Sequence, residues 1–210
     1  MSPPLVALLL VLLVPLFVGK WRTSLLGLSC QGLLTAWIAV RLHPDLANVE
    51  AWIGLADLVI LRGILAPWLL ASEMRRQAAP PRSDVIPPNM LSWALALGSV
   101  LVAFHFAEAL VREPGEEQAL VAVATVGLLL GFLVLATQPK PFSQMVGTLR
   151  IENAIALFEV GGGSQHREIG VHIGQLVIVL TTIVLYRWYL ATLEAADAPQ
   201  ADATVEGGGL

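Results

Sequence analysis

Long, mostly apolar runs separated by short polar, proline-containing or glycine-containing breaks set the pattern of this chain. A helix needs about 20 mostly apolar residues to cross a hydrocarbon core of roughly 30 Å. Seven windows approach that length, at 4–19, 24–42, 51–72, 88–111, 118–137, 142–160 and 168–190. The breaks are a few residues long except for 73–87, EMRRQAAPPRSDVIP, a polar, proline-rich linker. The first run lacks a basic amino end, and KWRTS follows it rather than a small-x-small cleavage site. It is therefore expected to be a retained span with Pro15 as a tolerated kink. From 192 onward TLEAADAPQADATVEGGGL is acidic, small and unpatterned, which predicts a disordered tail. The pattern thus predicts an all-α, polytopic membrane protein of about seven transmembrane helices.

Composition makes that class firm. The chain is 56% hydrophobic and 13% charged, with a mean hydropathy of +0.74, outside the range of soluble globular domains. Lys and Arg beside the runs give an orientation. Lys20, Arg22, Arg75, Arg76, Arg82, Lys140 and Arg187 fall on one side, and only Arg41, Arg112 and Arg167 on the other. The amino end is expected outside and the carboxyl end in the cytoplasm of a bacterial or archaeal cell. One cysteine, Cys30, excludes an internal disulfide and a cysteine-held cluster. The four histidines are scattered, and no CxxC, HExxH, P-loop or GxGxxG occurs. No catalytic residue, metal or cofactor is expected in this chain, and no nucleic-acid partner.

The two ends of the sequence share a layout. A long apolar run, a short basic turn and a run with polar residues near its middle recur in 4–42 and 118–160, and each pair is followed by a third run. With an extra fourth run between them, the two triplets point the same way. This suggests two parallel three-helix repeats, although any two hydrophobic triplets share some likeness. The expected divisions are 1–72, a linker at 73–87, a linking helix at 88–111, a second unit at 112–191 and the tail at 192–210.

Charges inside the runs are the candidate chemistry. Asp or Arg at a helix centre costs about 2.5–3.5 kcal/mol on the insertion scale, so such residues face protein or water and mark ion or proton paths. They are Asp57 and Arg62 in the third run, His105 and Glu108 in the fourth, Arg150, Glu152 and Glu159 in the sixth, and His172 in the seventh. At about 100° per residue, Glu152 and Glu159 share a face and Arg150 points almost oppositely. Each is expected to find a partner on another helix or in trapped water. Glu152 reads either as a carboxyl that loads and releases a proton, or as half of a static buried ion pair. Asn153 is expected to bond a neighbouring helix, while Glu159 lies where hydration would also satisfy it.

Arg62 keeps its charge at any relevant pH, so its role is electrostatic. Asp57, five residues earlier, lies about 140° round an α-helix from it, so each is expected to pair with a different helix. His105 and Glu108 suit an aqueous exit or a local hydrogen bond. His172, three residues before Gln175, reads as a relay or as a hydrated histidine. Thr181 and Thr182 are expected to bond back to their own helix, and the six tryptophans to anchor at interfaces or pack.

Three segments carry a resemblance: Glu152 with Asn153, the EIGVHIGQLVIVL opening of the last run, and ILRGILAPWLL around Arg62. On these, the chain resembles component E of hydrogenase-4, a membrane subunit of formate hydrogenlyase-type and related group 4 nickel-iron hydrogenase complexes. Its carboxyl-terminal half looks like the K subunit of complex I and the C subunit of multisubunit cation/proton antiporters. The resemblance covers most of residues 5–190. It places Arg62 where a lysine is usual. The complex I acid would fall at Leu149, one turn before Glu152, and a second acid near Gly174 or Gln175 has no counterpart.

The resemblance implies a non-catalytic subunit beside large antiporter-like membrane subunits and redox subunits with nickel-iron or iron-sulfur centres. Glu152 would be the proton-responsive carboxyl, tuned by Arg62 and Arg150, with Asp57, His172 and Glu108 as weaker members of the path. A cation/proton antiporter without a redox partner and a structural spacer remain the alternatives.

Overall fold

The structure, a computed structural model, describes residues 1–17, 20–42, 49–76, 90–138, 140–161 and 169–206. Within these, nothing is described of the side chains of 14–17, 50, 76, 92, 169, 171–172, 190 and 193–206. The described residues form seven helices and no strand. They are α1 (Pro3–Phe17), α2 (Trp21–Leu42), α3, α4 (Met90–Leu110), α5 (Glu116–Thr137), α6 (Pro141–Gly161) and α7 (Ile169–Glu206). The third is composite: α-helical Val49–Ala56, π-helical Asp57–Leu65 and α-helical Ala66–Arg76 follow one another without a break.

Local chemistry explains where several helices begin. Pro3 and Pro141 open α1 and α6, at positions whose N–H groups have no helical partner to lose. Glu116 and Glu117 begin α5 and complement the positive end of its dipole. α3 runs on through Arg76, into the expected linker, and buries Glu73 and Met74; residues 77–89 lie outside the described set. α7 is helical as far as Glu206, past 192 where the tail was expected to begin.

Among the described residues, four segments are long and apolar enough to cross a membrane: Trp21–Leu42, Ala51–Arg75, Trp93–Leu110 and Glu116–Thr137. The apolar stretches Pro3–Leu13 and Ile173–Tyr189 are shorter. α6 has the length but carries Arg150, Glu152 and Glu159.

Helices α5 and α6 make the most extensive pairing and form the centre of the bundle. Around it α1 lies on α5, α2 on α6, and α3 on α7, while α4 lies along α5. Two apolar layers result. One joins Leu5, Leu8 and Leu12 of α1 to Val123, Leu130 and Leu157 of the central pair. The other joins Leu25, Leu28, Leu61, Leu70, Met145, Leu149 and Ile183. Along α2 the buried polar Gln31 and Thr35 fall between residues of the two layers, as Arg150 and Asn153 do along α6. The polar residues therefore form a middle layer with apolar packing above and below.

Small residues set the spacing, as they do where apolar surroundings give helices little other reason to associate. At Gly32 on α2, a Cβ would sit 2.8 Å from the backbone nitrogen of Gly63 and 3.0 Å from its Cα. The obstacle is backbone, which no side-chain rotation can clear. Gly32→Ala is therefore expected to push α2 from α3 and to lower stability by about 1–3 kcal/mol. Thermal unfolding of the detergent-solubilised chain measures this, and an unchanged melting temperature would contradict the close contact.

Candidate functional site

The middle layer gathers on α3, α6 and α7. Asp57 and Arg62 are joined directly: Arg62 Nε donates to Asp57 Oδ2 at 2.8 Å, with the two side chains 3% and 11% exposed. This corrects the expectation that each would pair with a different helix. The reason is the local helix type. In a π-helix the backbone bonds run from i to i+5, as in the Ala66 N–H to Leu61 carbonyl bond that closes this segment. Residues five apart then stand roughly above one another, whereas an α-helix would hold them on different sides.

Arg62 also reaches α6, where its Nη1 donates to Asn153 Oδ1 at 3.3 Å. Asn153 thus bonds between helices, and Arg62 ties α3 to the central pair. A narrow seam runs beside this contact, lined by Leu28, Arg62, Ala66, Leu149, Asn153 and Val179, with no room for a water molecule.

The charges of α6 diverge as helical geometry requires. Arg150, 3% exposed, turns toward α1 and donates from Nη1 to the Leu12 carbonyl at 3.3 Å, while its own carbonyl receives Gln31 Nε2 at 3.5 Å. Arg150 thus bonds toward α1, on a different face of α6 from Glu152. Glu152 and Glu159 face α7 instead. Thr182 Oγ1 donates to Glu152 Oε1 at 2.8 Å, and Gln175 Nε2 donates to Glu159. Thr182 was expected to bond its own helix; a carboxylate offers its hydroxyl a stronger, charge-assisted acceptor than a carbonyl already engaged in the helix.

Two carboxylate oxygens in this layer are buried without a hydrogen-bond partner among the described residues: Glu152 Oε2 and Asp57 Oδ1. Arg62 and Asp57 both lie near enough to act on Glu152 electrostatically. The site is thus two acids and one fixed cation, with Asn153 and Thr182 as neutral hydrogen-bonding partners. Such a group can hold or pass a proton, or stay as a static polar joint.

Other candidates lie elsewhere. His105 and Glu108 face each other at 3.8 Å on the open side of α4, 87% and 66% exposed, away from the middle layer. The His172 side chain lies outside the described residues. Among the described residues no three His, Cys, Asp or Glu side chains converge as a metal ion would require.

Comparison with known proteins gives one relative of note. The chain is 34% identical over 143 residues to the Mycobacterium tuberculosis protein described as "Uncharacterized protein Rv0085". The match takes in 65% of this chain and 64% of that protein's length, so it spans less than two thirds of the relative. No family model and no solved structure matches.

Sequence reasoning singled out Asp57, Arg62, Glu152 and Asn153 one by one and missed that they meet. It also missed Thr182, whose only signal was a hydroxyl at a position able to face an acid on a neighbouring helix. Removing one partner of a buried pair strands the other, at a cost of about 3–5 kcal/mol. Arg62→Leu is expected to show a loss of that order, and Asp57→Leu combined with Arg62→Leu a smaller one. Unfolding of both variants in detergent checks this, with equal losses arguing against direct pairing.

Proposed function

We propose that the chain is an accessory membrane-arm subunit of a complex-I-like, hydrogenase-related redox complex, to which it contributes buried charges for proton or sodium translocation. In this reading it crosses the bilayer about seven times as two parallel three-helix units around α4. The amino end lies outside and the carboxyl end in the cytoplasm. Large antiporter-like membrane subunits flank it, and redox chemistry at nickel-iron or iron-sulfur centres takes place in partner subunits. This chain holds no cofactor of its own.

The observation that carries the reading is Glu152. One of its oxygens accepts from Thr182, the other is buried and unpartnered, and Arg62 and Asp57 act on it from α3. A carboxyl in that setting changes its proton occupancy when the nearby charges move, because burial favours the neutral form and a close cation the ionised one. Arg62 cannot give up its own proton, so it serves as the fixed counter-charge. The resemblance leaves the last helix without its usual acid near Gly174 or Gln175; Asp57 offers a second membrane carboxylate from α3 instead.

A second reading has its own support. The bonds from Arg62 to Asp57 and Asn153 are those of a static joint between α3 and α6, and a structural spacer would need no more. An antiporter subunit without a redox partner is the remaining alternative. Copurification separates the partners: nickel-iron or iron-sulfur subunits support the redox complex, and antiporter-like proteins alone support the other. Glu152→Gln is expected to assemble normally and to lose redox-driven proton uptake in membrane vesicles. Full uptake by the assembled variant would rule out this role for Glu152.

A further inference from the structure

The face of α7 turned toward α6 carries polar side chains in matched register with those on α6. Glu159 meets Gln175, Glu152 meets Thr182, and Thr148 Oγ1 lies 3.3 Å from the Tyr186 hydroxyl. Each step of seven and then four residues down α6 is answered by an equal step up α7, as two antiparallel helices packed in register require. One residue beyond Tyr186, Arg187 Nε lies 3.7 Å from Glu73 Oε2 on α3. Glu73 is almost fully buried, its side chain 7% exposed, while Arg187 is 38% exposed. This ion pair lies at the same end of α7 as the Thr148–Tyr186 pair and reaches solvent through Arg187.

The two halves of this series differ. From the Glu152–Thr182 pair to the Thr148–Tyr186 pair is four residues, or about 6 Å of rise, whereas the Glu159–Gln175 pair is seven residues away, or about 10.5 Å. One side-chain rotation bridges the shorter gap, because Glu152 leans toward the amino end of α6 and so toward Thr148, and the longer gap exceeds it. The exposed residues of α7 include Val177, Ile178, Val184, Leu185 and Trp188, all apolar.

We propose that the α6–α7 seam is the route by which Glu152 exchanges protons with the Glu73 end of the bundle, with Thr148 and Tyr186 as its relay. This rests on the reading of Glu152 as a proton-responsive group. Glu73 takes a proton from water at the mouth beside Arg187. The Tyr186 and Thr148 hydroxyls each accept one proton on oxygen and release their own; Thr148, which donates to the Gln144 carbonyl at 3.0 Å, turns from it to do so and then returns. Rotation of the Glu152 side chain, which leans toward Thr148 one turn before it, closes the last gap, and the carboxylate becomes a carboxylic acid. Arg62 and Asp57 of α3 are the charged groups acting on Glu152 at that point.

The test follows the carboxylic acid by infrared absorption after a pH jump, with the full chain in liposomes. A protonation band that disappears in Glu152→Gln identifies the group; if no such band exists, the proton-responsive reading itself fails, whatever the route. Given the band, Tyr186→Phe, Thr148→Val and Glu73→Gln are each expected to slow its appearance by about tenfold or more while leaving its final amplitude unchanged. Circular dichroism checks that each variant keeps its helices, and three separate positions keep the test open if one does not. Wild-type rates in all folded variants would overturn the route, even if their melting temperatures fell, because that is the signature of interhelical hydrogen bonds alone. Slowing by Glu159→Gln with wild-type rates in the other three would also overturn it, by moving the route to the opposite end.

Discussion

A guanidinium in an apolar bundle has to be neutralised by the protein itself, and in this chain that constraint falls on Arg62. Its partner is Asp57, reached at 2.8 Å because the third helix takes a π register over Asp57–Leu65. Desolvating two ions is costly, and their attraction compensates only when the geometry is good and further hydrogen bonds are made. The bond from Arg62 to Asn153 supplies one of these and fixes α3 against the central helix α6. The close backbone approach of Gly32 to Gly63 then brings α2 against the residue that follows Arg62. Local helix type, ion pair and helix spacing are thus one linked choice.

The remaining charges are arranged by the same rule. Arg150 donates from Nη1 to the α1 side of the bundle, and Glu152 turns toward α7. A single helix with charges on opposite faces is stable only if it has neighbours on both. α6 has them, with α5 and α2 flanking it closely and α7 more loosely. Apolar layers on either side keep water from the middle layer, which raises the energetic stakes of every unpaired oxygen there. Glu152 Oε2 and Asp57 Oδ1 are the two such oxygens in this layer among the described residues.

Much of this was legible from single residues. Arg150 and Glu152, two apart, must diverge on any helix, and Asn153 beside an acid in an apolar run had to seek a neighbouring helix. What misled was the assumption of one helical period throughout. Measured on an α-helix, Asp57 and Arg62 lie on different sides, and no composition signal in DLVILRGIL marks the π register. Thr182 was equally hidden, since a threonine in an apolar helix bonds its own backbone unless an acid happens to face it.

By itself the sequence determined the class of the protein, its helical runs and the identity of the groups that apolar surroundings cannot leave unpaired. Those properties depend on composition and on periodicity along one chain. The tertiary structure decided which of the groups meet: Asp57 with Arg62, Arg62 with Asn153, Glu152 with Thr182, and Thr148 with Tyr186. Partner choice depends on local helix type and on the register between helices. Both are settled by packing across the bundle, among residues that lie far apart along the chain.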